Sequence, residues 1–216
     1  LAFEHYLSET HILGTRLSLT DRLVEVSDEL RRLSDASPDK AASRADEPYR
    51  RALILIYSRL SASAKQLGHK ISHRPPVDKL AQPYATPQEF IADLDVLIDS
   101  LFKHGAVYLA RGRIAYLRRA VEVFGFHLAP LDMRQHSAIH EQTVSELFSC
   151  GGGKADYKDL DEAKRREVLL AALQTGTPLL ANPEQYTEVA QSELRIMQAA
   201  AQIHQRYGRA ALPNHI

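Results

Sequence analysis

Apolar residues recur at the spacing of an α-helix along most of this 216-residue chain. The clearest case follows Thr86-Pro87-Gln88-Glu89, where threonine suits an N-cap, proline the first turn and glutamate the capping-box position. One apolar face follows this start, made of Phe90, Ile91, Leu94, Leu97, Ile98, Leu101 and Phe102. Gly105 then ends the predicted helix. A chain patterned in this way predicts a mainly α fold.

Other segments repeat the helical pattern. A helix is predicted within the first thirty-five residues, with a break and an N-cap at Thr20, and a second is predicted from a cap at Asp46 through Pro48 to Gly68. Further helices are expected at about 113–124, 137–148, 161–173 and 184–207. We therefore expect a single helical region over 1–216, with internal loops at 69–85 and 150–156.

The period changes after Gly125, where residues of about 126–133 alternate as in a strand. Both faces of this strand are largely apolar, which is typical of a strand buried on two sides. Pro130 argues against the strand because it lacks a backbone donor. A lone strand cannot satisfy its own backbone hydrogen bonds. Either the strand is absent or its partners lie outside this chain, so we expect a piece of a larger protein.

Composition excludes several classes of protein. Twenty-seven basic residues balance 27 acidic ones, so the chain has no general attraction to nucleic acid or to anionic membranes. The longest apolar run covers 168–173, far below the ~20 residues that span a bilayer. The single cysteine, Cys150, fits a reducing compartment and predicts a cytoplasmic protein.

Polar groups follow the apolar part of the predicted strand. Asp132 and Arg134 are two residues apart, so their side chains are expected on the same side. The planar fork of arginine suits a carboxylate or phosphate, and sites in parallel barrels are built at the carboxyl ends of strands. The alternative is a structural ion pair or a helix-cap group.

Other candidate sites have weaker signals. His136 and His140 are four residues apart, as in some metal sites, but no third ligand is evident and surface or capping roles fit better. The segment 151–154, three glycines and a lysine, lacks the spacing of a phosphate loop and indicates a linker. No companion base can be assigned to Cys150.

The run 118–141 contains Phe-Gly-x-x-Leu-x-x-Leu-Asp-x-Arg-Gln and resembles an internal segment of bacterial-type phosphoenolpyruvate carboxylase. The flanks agree, with Glu47-Pro48-Tyr49-Arg50 opening a helix and the run 202–208 closing one. The resemblance covers essentially the whole chain but only a quarter of such an enzyme.

The resemblance implies a helix-rich (β/α)8 barrel, usually a homotetramer, that converts phosphoenolpyruvate and bicarbonate to oxaloacetate and phosphate with Mg2+ or Mn2+. Arg134 matches the active-site arginine that contacts the substrate and the anionic intermediates, and Asp132 is a second candidate that orients it. The upstream histidine motif, the downstream metal ligands and the glycine-rich arginine loop have no counterpart here. We therefore expect the metal ligands to lie outside this chain and the chain alone to be inactive.

Two other functions stay open at this stage. A non-catalytic helical module for subunit assembly would be favoured if Arg134 were buried against a carboxylate. A nucleic-acid binder would use the basic cluster Arg111, Arg113, Arg118 and Arg119, although Glu122 lies on the same helix.

Overall fold

The structure is a computed structural model and describes residues 1–69, 81–150, 157–175 and 183–216. The chain folds into two compact units, Leu1–Ala129 and Pro130–Ile216. The single region expected over 1–216 stays a prediction, and the expected loops at 69–85 and 150–156 lie mostly outside the described residues. In the part of the chain that is described, no helix combines the length and the apolar character needed to cross a membrane.

The first unit is helical. Its α-helices are α1 (Ala2–Arg16), α2 (Asp28–Asp35), α3 (Pro48–Gln66), α4 (Pro87–Lys103), α5 (Val107–Ala110) and α6 (Arg113–Phe124). Helices α1 and α2 both pack on α3, while α4 packs on α6. The most deeply buried large side chains come from all of these helix pairs and include Tyr6, Tyr49, Phe90, Leu97 and Leu117.

Helix α4 confirms the strongest sequence signal. The Thr86 hydroxyl accepts a hydrogen bond from the backbone N–H of Glu89, and Pro87 occupies the first turn. The Glu89 carboxylate does not close a capping box on Thr86, since it accepts from the backbone N–H of Ala85 instead (3.3 Å). Most of the predicted apolar face is buried, including Phe90, Leu94, Leu97 and Leu101, whereas Phe102 is exposed. Gly105 follows the helix with a φ of +81°.

The break predicted at Thr20 is present, but the N-cap predicted there is wrong. Residues 17–27 are not helical, and helices lie on either side of them. Leu17 and Val26 are buried in the core from this irregular segment, whereas Leu23 is 85% exposed, so the three residues do not form one face of a helix. The residue that caps α2 is Ser27, whose hydroxyl accepts from the N–H of Leu30.

The cap predicted at Asp46 is also wrong. The N-cap of α3 is Glu47, which makes no side-chain capping bond, and Pro48 is at the start of the helix. The Asp46 carboxylate instead accepts a hydrogen bond from the hydroxyl of Thr20 (3.2 Å) and pairs with Arg22. A contact between distant segments therefore replaces both predicted caps.

The second unit contains the helices α7 (Ser137–Cys150), α8 (Glu162–Thr175) and α9 (Glu188–Tyr207). It also contains two short strands, β1 (Asp132–Met133) and β2 (Asn214–His215). The strands are parallel, with Asp132 opposite Asn214 and Met133 opposite His215. Helix α9 begins later than predicted because Thr187 is its cap, and a 3-10 turn (Pro183–Gln185) precedes it.

The mainly α class is confirmed, but the strand expected at 126–133 shrinks to two residues. Phe126 belongs to the core of the first unit, where its ring lies 4.9 Å from that of Phe3. Pro130 lies before the paired residues of β1. Next to it, the N–H of Leu131 donates a hydrogen bond to the carbonyl of Ala211, outside the two-residue strand pair. The expectation that every partner strand lies outside the chain is wrong, because β2 is the partner.

Candidate functional site

The backbone around Arg134 is held by the neighbouring strand. The N–H of Ile216 donates to the carbonyl of Met133 (2.8 Å), and the N–H of Gln135 donates to the carbonyl of Ile216 (3.0 Å). These two bonds bracket Arg134 and continue the parallel ladder beyond β1. The main chain of Arg134 is therefore fixed on both sides.

The two faces of the strand pair have different surroundings. Side chains alternate along a strand, so Asp132, Arg134 and Asn214 share one face, and Met133 and His215 share the other. The ring of His215 lies 4.8 Å from that of His140, which belongs to α7. Helix α7 therefore lies on the face opposite to Arg134.

On the Arg134 face, the Asp132 carboxylate contacts the side chains of both Asn214 and Arg134. The Asn214 amide donates from Nδ2 to Oδ1 of Asp132 at 3.0 Å. The other carboxylate oxygen, Oδ2, lies 3.6 Å from Nη2 of Arg134. The Arg134 side chain is 73% exposed, and that of Asp132 is 33% exposed. With the described residues alone, the guanidinium is therefore accessible to an anion from solvent. The assembly module required a buried arginine, which the structure does not show.

Gln135 anchors the end of β1 to helix α9. Its Nε2 atom donates to Oε1 of Glu193 at 2.6 Å, and its Oε1 atom accepts from the N–H of His136 at 2.8 Å. Glu193 is only 5% exposed and Gln135 is half-buried, so this contact is partly buried. Sequence reasoning assigned no role to Gln135 or to Asn214. The family motif includes Gln135, whereas two-residue β2 has no periodic pattern that could have drawn attention to Asn214.

Comparison with known proteins identifies the family. The family model described as "Phosphoenolpyruvate carboxylase" matches residues 1–216. The chain belongs to the phosphoenolpyruvate carboxylase family. It is 46% identical over 217 residues to the phosphoenolpyruvate carboxylase of Nitrosomonas eutropha, covering all of this chain and 23% of that protein. It is 48% identical over 220 residues to that of Burkholderia mallei, covering 99% of this chain and 22% of that protein. The chain thus spans less than a quarter of the length of these carboxylases.

The two histidines near the carboxylase motif have structural contacts. His136 accepts a hydrogen bond at Nδ1 from the N–H of Ala138 (3.2 Å), in the first turn of α7. His140 packs against His215, as described above. Among the described residues, no group of three or more His, Cys, Asp or Glu side chains is arranged to hold a metal ion. The divalent metal implied by the resemblance thus finds no fitting donor set among the described residues.

Two further candidates have different outcomes. The glycine-rich segment 151–154 lies outside the described residues. Cys150 is a free cysteine, and its Sγ atom lies 3.9 Å from the carbonyl oxygen of Gln185.

Three of the four arginines in the basic cluster of the first unit, Arg113, Arg118 and Arg119, are paired with carboxylates. Arg113 donates to Glu9 at 2.7 Å, and Arg118 to Asp95 at 3.2 Å. A third pair joins Arg119 to Glu122 at 2.8 Å, and this hydrogen bond lowers the pKa of Glu122. Because three carboxylates offset the charge of three of these arginines, the cluster lacks the large unbalanced positive charge typical of a nucleic-acid interface.

Proposed function

We propose that this chain is part of a phosphoenolpyruvate carboxylase, a carboxy-lyase that converts phosphoenolpyruvate and bicarbonate to oxaloacetate and phosphate. The observation that carries the proposal is the exposed guanidinium of Arg134, which follows a parallel strand on the face opposite to α7. Family membership over all 216 residues supports the same activity.

The whole protein is proposed to be a helix-rich (β/α)8 barrel. In such barrels the helices cover the outer face of the strands, and the sites are built at the carboxyl ends of the strands. The segment from β1 through α7, α8 and α9 to the parallel strand β2 is consistent with one crossover of that architecture. The polar groups of Asp132 and Arg134 would then lie at the barrel mouth.

The proposed role of Arg134 follows from the charges of the reaction. A bicarbonate oxygen attacks the phosphorus of phosphoenolpyruvate, and the bond from phosphorus to the enol oxygen breaks. This step gives carboxyphosphate and the enolate of pyruvate, both anions, and transfer of the carboxyl group to the enolate carbon then releases phosphate. Arg134 keeps its charge at any working pH and can donate two parallel hydrogen bonds to a phosphate or carboxylate. Asp132 would hold the guanidinium in place.

Several properties of the whole enzyme are part of the same proposal. Mg2+ or Mn2+, bound by residues outside this chain, would neutralise negative charge on the substrate. The enzyme would be a homotetramer. It would be in the cytoplasm, a reducing compartment that fits the single cysteine of this chain.

The test is substitution of Arg134 in the full-length carboxylase that carries this chain. Removing a preorganised donor to a developing charge costs about 3 kcal/mol, so Arg134→Gln should lower kcat about 100-fold or more. Arg119→Gln is the matched control, because the Arg119 side chain is 70% exposed and also paired with a carboxylate. It should leave kcat unchanged. Wild-type kcat in Arg134→Gln would exclude the proposed role.

A further inference from the structure

We propose that Asn214 is a positioning residue for Arg134 and acts by orienting the carboxylate of Asp132. This inference depends on the function proposed above. It assigns a role in the site to β2, the strand next to the one that carries the arginine.

The strand register brings Asn214 to Asp132. The two residues are directly opposite each other in the parallel pair, and the amide nitrogen of Asn214 lies 3.0 Å from Oδ1. The other oxygen of the same carboxylate faces Nη2 of Arg134 at 3.6 Å. One oxygen is thus held by the amide while the other is directed to the guanidinium. Asn214 therefore contacts the arginine only through Asp132.

The contact of Asp132 with Asn214 restricts the motion of the Arg134 side chain. The hydrogen bonds to Ile216 already fix the main chain of Arg134, so its remaining freedom is that of a long side chain. An exposed ion pair at 3.6 Å contributes little ordering by itself. A carboxylate that is held by the amide is a better-defined partner, because it cannot rotate without losing the bond to Asn214. Misplacement of a donor by about 1 Å can cost about 100-fold in rate.

The chemistry of the amide explains why asparagine suits this position. Its nitrogen can only donate, which complements a carboxylate oxygen that can only accept. An aspartate of the same shape would place a second negative charge about 3 Å from the first and repel it. Asn214→Asp therefore preserves shape while reversing the interaction.

The experiment measures kcat and KM in the full-length carboxylase for Asn214→Ala, Asp132→Ala and the double variant. We expect Asn214→Ala to lower kcat about tenfold. In the Asp132→Ala background the same substitution should have no further effect, because the group through which it acts is gone. Asn214→Asp should lower kcat more than Asn214→Ala. His215→Gln, on the other face of β2, is the control and should keep the wild-type kcat.

A merely structural role predicts different results. If Asn214 only stabilised the strand pair, its substitution would lower the unfolding temperature and leave kcat per folded molecule unchanged in both backgrounds. Equal effects of Asn214→Ala with and without Asp132 would overturn the inference. If the alanine variant does not fold, Asn214→Asp carries the test, and a wild-type kcat in that variant overturns it too.

The inference and the proposed function fail in distinguishable ways. A large loss of kcat in Arg134→Gln with no loss in the Asn214 variants refutes the positioning role and leaves the proposed function intact. Wild-type kcat in Arg134→Gln refutes the proposed role of the arginine, and the inference with it.

Discussion

A cluster of charged and aromatic side chains joins α3 to α4 in the first unit. Arg59 donates to Asp93 at 2.8 Å and to Glu89 at 3.0 Å, and its guanidinium carbon lies 3.9 Å from the centre of the Tyr84 ring. The hydroxyl of Tyr84 donates to the same oxygen of Asp93 at 2.6 Å. Burial raises the pKa of Asp93, although the bonds from Tyr84 and Arg59 oppose that effect. The arginine thus compensates a carboxylate that burial alone would disfavour in its charged form.

Replacing Arg59 with methionine keeps much of the apolar volume and removes the charge. Two hydrogen bonds to charged groups are worth about 1.5–3 kcal/mol each, which gives roughly 3–6 kcal/mol before screening. The side chains of Arg59 and Asp93 are 22% and 15% exposed, so solvent screens part of this energy. We expect Arg59→Met to lower the free energy of unfolding by about 3 kcal/mol, at the low end of what breaking a buried pair costs.

Urea unfolding of the 216-residue chain, followed by far-UV circular dichroism, measures this loss. The control is Arg119→Met, which removes an exposed pair worth about 0–1 kcal/mol. Adding Asp93→Asn to Arg59→Met should recover part of the stability, because the amide keeps an acceptor for Tyr84 and leaves no buried unpaired charge at position 93. The reasoning is refuted if Arg59→Met costs no more than the control, or if the added Asp93→Asn makes it worse.

Three further predictions concern the chain as a whole and two local contacts. The purified 216-residue chain should form no oxaloacetate from phosphoenolpyruvate, bicarbonate and Mg2+ in an assay coupled to malate dehydrogenase. The hydrogen bond from Arg44 lowers the pKa of Asp39 in the folded chain. The stability that ionised Asp39 contributes is therefore present above about pH 4 and is lost as the pH falls through the lowered pKa of the folded state. Urea midpoints should therefore fall less between about pH 6 and about pH 3 in Asp39→Asn than in wild type. Thr86→Ala should lower the free energy of unfolding by about 1 kcal/mol, since the N–H of Glu89 loses its cap.

Each of these predictions has an opposing outcome. Oxaloacetate formed by the isolated chain would show that the proposed missing parts are not needed. If the urea midpoint of Asp39→Asn falls with pH as much as that of wild type, the contact between Asp39 and Arg44 does not cause the pH dependence of stability. Thr86→Ser is the control for the cap, and a loss as large as that of Thr86→Ala would contradict the capping role.

Helices whose signals are local were predictable from the sequence. The cap at Thr86, the proline after it and the apolar spacing all depend on residues within one helix, and α4 forms where they indicate. The capping box failed because Glu89 also has Arg59, a partner on another helix, within reach. Local patterns indicate which element a segment can form. When a charged side chain has several possible partners, the packing of the helices determines which partner it contacts.

The errors fall where distant segments compete with local preference. Thr20 resembled a cap but bonds to Asp46, and Phe126 resembled a strand residue but packs against Phe3. In both cases the decisive contact joins parts of the chain that are far apart in sequence. Spacing along the chain contains no information on such contacts.

For the candidate site, the sequence alone predicted that Asp132 and Arg134 lie on one side, because residues two apart in an extended segment share a side, and that the guanidinium of Arg134 suits an anion. Only the tertiary structure decided that β2 lies beside β1 and that Asn214 meets Asp132 across 82 positions of sequence. The physical reason is that a strand of two residues has no periodicity of its own. Its place beside β1 is seen only in contacts between distant residues, such as the ladder itself and the ring contact of His215 with His140 of α7.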